Sequence, residues 1–110
     1  MENFRDSELW IKATELTRDI FYLSNMFGDD TLSDILRNSC MDLLAEIMQH
    51  FVWHDISKEE LNANGILNRI ETQILIAKGQ HYLSSDEIRN FSKTIDELRS
   101  FCPKMTEHFF

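Results

Sequence analysis

The sequence predicts an all-α fold, an antiparallel up-down-up-down four-helix bundle built as one domain over residues 1–110. Three observations predict it. Apolar residues recur at three- and four-residue steps through four successive stretches, which is the signature of amphipathic helices. Capping signatures stand at the heads of those stretches. Three glycines and one proline supply too few turns for a β-sandwich, in a chain that is 43% hydrophobic and 27% charged. At 110 residues the chain can bury a core without disulfides or a structural metal.

The first helix is expected from Asp6 to Met26, on the stripe Leu9, Trp10, Ala13, Leu16, Thr17, Ile20, Leu23 and Phe27. Asp6 or Ser7 caps its start, and Gly28 stands just past its last apolar position to stop it. Thr31 followed by Asp34 opens the second helix. Two ridges run along that helix: Leu32, Leu36, Cys40, Leu44, Met48 and Val52, and beside them Ile35, Ser39, Leu43, Ile47 and Phe51. So wide an apolar face exceeds what one bundle needs and is expected to reach a subunit interface as well. Ser57 and Glu60 form a capping box for the third helix, with Ala63, Leu67, Ile70, Ile74 and Ala77 as its stripe and Lys78-Gly79 as its end. Gly65 inside this helix implies the close approach of another. Ser84 and Glu87 repeat the box before Ile88, Phe91, Ile95, Leu98, Cys102, Met105 and Phe109, with Pro103 expected to kink or restart the helix. Short connections between such helices force each to run opposite to the one before.

Composition also bounds function. The polar, acidic start Met1-Glu2-Asn3-Phe4-Arg5-Asp6 lacks the basic flank and apolar run of a signal peptide, so a cytoplasmic location is expected. Charges interrupt every helix-length window, which excludes a membrane span. Cys40 and Cys102 show no metal or redox spacing and read as buried free thiols. The net charge of −8 disfavours nucleic acid, because a grip on phosphates needs clustered bases, and the eleven Lys and Arg here are scattered among acids.

No catalytic residues, cofactor or metal ligands are read from the chain. No Glu is followed by His at the third position, as a di-iron bundle requires. Glu46, His50 and His54 recur every four residues and could share a metal, but a solvated edge explains the same spacing. Nucleophile elbows, phosphate loops, HExxH and CxxC are all absent. The paired acids Asp29-Asp30, Glu59-Glu60 and Asp96-Glu97 suit helix starts and solvated faces. Trp10 and Trp53 both read as core by default, and Trp53, near the end of the second helix, is also a candidate contact to a neighbouring subunit or partner.

The order of residues resembles a four-helix bundle family that includes proteins encoded in intervening sequences of 23S ribosomal RNA genes. Phe4, then Leu9-Trp10-Ile11-Lys12-Ala13 and Leu16, is similar to the family's aromatic and Trp-x-Lys-Ala opening, and Leu36-Arg37 to its second-helix Leu-Arg. The run from Gly65 to Ala77, with Glu71-Thr72-Gln73 inside it and Tyr82-Leu83 after it, resembles the family's Gly-Ser-Leu-x-Glu-Leu-Glu-Thr-Gln and Gly-Tyr-Leu. Ile66 and Arg69 replace the serine and first glutamate of that run, and Glu46-Ile47-Met48-Gln49-His50 stands where the family has Asn-Ile-Ala-Glu-Gly. The resemblance implies a homopentameric ring. It also implies kinship with accessory proteins of diversity-generating retroelements, which are basic and bind nucleic acid and a reverse transcriptase.

The expectation is therefore a non-catalytic, ring-forming interaction or scaffold protein. Its partner is itself, with a further protein partner compatible with the same surface. The subunit interface is placed at Leu44, Met48, Phe51, Val52 and Trp53. The alternative is a nucleic-acid-binding accessory factor acting with a reverse transcriptase or ribosomal RNA, its ring rim gathering Lys and Arg from several subunits.

Overall fold

Three of the four helix starts show which side chain satisfies free amides of the first turn. The computed structural model describes residues 7–52 and 63–101, apart from the side chains of residues 50–52. The Ser7 hydroxyl accepts the Trp10 amide at 3.1 Å and opens α1 (Glu8–Ser24). Asp29, not Thr31, caps α2 (Asp30–Val52), its Oδ1 accepting the Leu32 amide at 3.0 Å. A carboxylate there both takes the hydrogen bond and suits the positive end of the helix dipole, and it extends α2 one residue ahead of Thr31. Helix α3 runs Ala63–Gly79, and the expected box at Ser57 and Glu60 lies outside the described residues. At α4 (Ser85–Ser100) the box is complete: Ser84 Oγ accepts the Glu87 amide at 3.1 Å while Glu87 Oε1 accepts the Ser84 amide at 2.8 Å. Among the described residues there are four helices and no strand.

The helix ends depart more from expectation. Helix α1 stops at Ser24, short of Met26, and Gly28 does not take a left-handed conformation. Helix α2 itself closes that end, because the Ser33 hydroxyl donates to the Ser24 carbonyl at 2.8 Å. Arg37 adds bonds to Ser24 Oγ, at 2.9 Å, and to Asn25 Oδ1. Ser24 and Ser33 are thereby buried with their polar groups satisfied. At the end of α3 the left-handed residue is His81, with φ 66°, rather than Gly79. Around it the Tyr82 amide bonds the Ala77 carbonyl and the His81 amide bonds the Lys78 carbonyl, both at 2.9 Å, the pattern of a Schellman cap. The Tyr82 ring then stacks on Phe27 at 5.2 Å, joining this turn to the one after α1.

One core lies between the helices. Leu16, Leu36, Leu43, Ile47, Leu67, Ile70, Ile95 and Leu98 are its largest fully buried side chains and come from all four elements. Each such burial contributes roughly 1.5–3 kcal/mol. Contacts join α1 to α2, α2 to α3, α3 to α4, and α4 back to α1. The predicted stripes of α3 (Ala63, Leu67, Ile70, Ile74, Ala77) and α4 (Ile88, Phe91, Ile95, Leu98) are buried throughout. Cys102, Pro103, Met105 and Phe109 lie outside the described residues. Gly65 is exposed, on the solvent side of α3 with Asn68, Arg69 and Thr72, and the close helix approach expected there is not found among the described residues. No described helix is long and apolar enough to cross a membrane.

Candidate interaction surface

The two apolar ridges expected along α2 do not both stay buried. Residues four apart on a 3.6-residue helix drift roughly 40° per step, so a row at strict four-residue spacing winds around the axis. Leu32, Leu36 and Cys40 are buried, Leu44 is half-buried, and Met48 is 41% exposed: the first ridge leaves the core along its length. The second ridge does the reverse, with Ile35 exposed and Ser39, Leu43 and Ile47 buried. The buried face is therefore narrower than two full ridges, and apolar side chains emerge on both its flanks.

Of the expected interface residues, Leu44 packs on the core from its edge and Met48 lies one turn further along, in the open. Phe51 and Val52 are within α2, but their side chains, and Trp53 altogether, lie outside the described residues. Sequence reading missed Met41, which is 53% exposed. Met41, Leu44, Ala45 and Met48 sit at steps of three and four, so they share one side of α2, rimmed by Asn38 and Gln49. Their spacing signals this row once the core is assigned to Leu36, Cys40, Leu43 and Ile47. Trp10 is half-buried against the core.

Polar contacts on the surface tie helices together. Arg99 of α4 reaches Glu71 at 2.8 Å, Asn68 at 2.7 Å and Asp96 at 3.0 Å. The bond to Glu71 is the main reason its guanidinium holds its proton even more firmly than usual. Arg69 bonds Asp42 at 2.9 Å between α3 and α2, and Lys12 bonds Glu97 at 2.5 Å between α1 and α4. That last hydrogen bond raises the Lys12 pKa and lowers that of Glu97. Within the Glu71-Thr72-Gln73 motif, Glu71 serves as a strut to α4, the Thr72 hydroxyl donates to the Asn68 carbonyl, and Gln73 is buried. The motif's visible duties are structural.

These pairings also shape the electrostatics. Lys12, Arg37, Arg69, Arg89 and Arg99 each face an acid within 4.0 Å. Such bases are poorly placed to neutralise phosphates. Of the Glu46, His50 and His54 series, Glu46 is half-buried, while the His50 side chain and His54 lie outside the described residues. Among the described residues, no three His, Cys, Asp or Glu come together in a way that could hold a metal ion.

No protein-family model matches the chain, and neither curated proteins nor solved structures give a match. The resemblance to the intervening-sequence family is thus carried by the motif residues alone.

Proposed function

We propose that the chain is a non-catalytic, self-associating bundle of up-down-up-down order, whose subunits join into a homopentameric ring through the outer side of α2. Supporting the helix order, Lys12 near the start of α1 meets Glu97 near the end of α4, and Ser33 early in α2 meets Ser24 at the end of α1. Arg99 near the end of α4 also meets Asn68 in the first half of α3.

The observation that carries the reading is the Met41 to Met48 row, exposed at both ends with half-buried Leu44 and exposed Ala45 between. Methionine is flexible and polarizable and adapts to the shape of a partner surface. Covering such a row removes apolar area from water, and a ring repeats that contact around a closed symmetry. The five-fold count comes from the family resemblance; the contact surface comes from α2. Nucleic acid, the rival partner, meets a chain of net charge −8 whose Lys12, Arg37, Arg69, Arg89 and Arg99 are already paired.

The test is Met48→Asp. Because the side chain is exposed in the subunit, the variant keeps its helical circular dichroism, while a carboxylate forced into an apolar contact weakens assembly by about 100-fold or more. Sedimentation velocity then shows smaller species at concentrations where the parent protein is assembled. An assembly unchanged by Met48→Asp and equally unchanged by Met41→Asp removes this face from the interface.

A further inference from the structure

The seam between α1 and α4 is where neighbouring helices touch least, and a groove of about 210 Å³ opens along it. Leu23 and Phe91 pack against or within the core at its base, Tyr22 and Asp19 stand on the α1 side, and Glu87, Asn90 and Thr94 on the α4 side. The groove is smaller than the roughly 300–1,000 Å³ usual for a small-molecule site, and its scale suits one inserted side chain.

We propose that this groove docks a lysine- or arginine-bearing segment of a partner polypeptide, the cationic head lying at Asp19 and Glu87 and the aliphatic stem along Tyr22, Leu23 and Phe91. The charge pattern selects that chemistry. No Lys or Arg lines the groove, and the Asp19 carboxylate has no hydrogen-bond or ion-pair partner among the described residues. Glu87 commits Oε1 to the Ser84 amide, which leaves Oε2 for a ligand. Further along the seam Lys12 is already bonded to Glu97, with Glu8 and Glu15 close to Lys12 and Lys93 close to Glu97. The apolar part selects a long stem: Tyr22, at 64% exposure, is among the most exposed large apolar side chains described, and it stands beside Leu23 and Phe91 in the groove lining. A long basic side chain lays its methylenes on such a surface, and an aromatic ring attracts its charged end. This surface lies apart from the Met41 to Met48 row, so the inference stands whether or not a ring forms.

Nona-arginine serves as the probe, with binding followed on the full chain by calorimetry and amide chemical shifts at about 50 mM salt. The expected result is saturable binding, with shifts concentrated at residues 19–23 and 87–94. Asp19→Asn with Glu87→Gln weakens it by about tenfold or more, whereas Asp30→Asn with Asp34→Asn, the same charge change on α2, weakens it less than about twofold. Gln at position 87 can still accept the capping bond, so the fold is kept. Tyr22→Ala, at an exposed position, also weakens binding. No binding, shifts spread over all acidic faces, or equal losses from the two charge pairs would overturn the proposal.

Discussion

Cys40 sits fully buried on α2, with Thr17 of α1 in hydrogen-bonding contact. Burial pushes its thiol up to about 12, against an ordinary 9.0, and the bond to Thr17 opposes only part of that shift. The folded chain therefore keeps this proton to higher pH than the unfolded chain does. The stability linked to the group is complete below pH 9.0 and is lost as pH climbs toward 12. With Cys102→Ser in place, so that Cys40 alone reports, iodoacetamide at pH 8 should modify the native protein about 100-fold more slowly than the urea-unfolded chain. Equal rates would show that the thiol is not enclosed. Cys40 was legible in the sequence because it falls between Leu36 and Leu43 on the buried side of α2. Met41, its neighbour, was not, because it falls on neither of the two apolar ridges read along α2 and draws notice only once the orientation of that helix is known.

The elements were legible wherever the apolar steps alternate between three and four, as in α3 and α4, since that alternation keeps a row on one side of a helix. On α2 the strict four-residue ridges misled for the geometric reason that makes Leu44 and Met48 emerge. Helix ends were the less legible part, because they depend on partners distant in sequence. Gly28 was expected to stop α1, yet the Ser24 carbonyl is met by Ser33 of the next helix. Likewise the turn after α3 relies on His81 at φ 66°, where an L side chain costs roughly 1–2 kcal/mol relative to glycine. His81→Gly should relieve that strain. Part of the gain is offset by the freedom glycine adds to the unfolded chain, leaving a net stabilisation of about 0.5–1 kcal/mol in urea denaturation. A loss of stability would mean that the His81 side chain makes a contact worth more than the strain it carries.

At the scale of the whole molecule, apolar side chains reach the surface on several helices: Ile11 and Tyr22 on α1, Ile35, Met41 and Met48 on α2, and Leu75 and Ile76 on α3. Helix α4 turns a charged surface to solvent, tied to its neighbours by Arg99 and by Lys12 with Glu97. In the proposed ring the Met41 to Met48 row of α2 is the covered part of each subunit, because a closed ring uses part of each subunit's surface and solvates the rest. The groove proposed to dock a basic segment lies between α1 and α4, apart from that row, with Asp19 and Glu87 beside exposed Tyr22. The bundle could be read from periodicity and caps. The proposed assembly rests on apolar width along α2, and a sequence does not say which of its apolar residues the core leaves over.

The most direct measurement is the absolute mass of the purified protein in solution, by light scattering, against a subunit of 13.0 kDa. The account predicts a mass of about five subunits, held across dilution through the micromolar range. A particle that stays at the mass of one subunit at every concentration would contradict it, leaving the Met41 to Met48 row as plain solvent-facing surface.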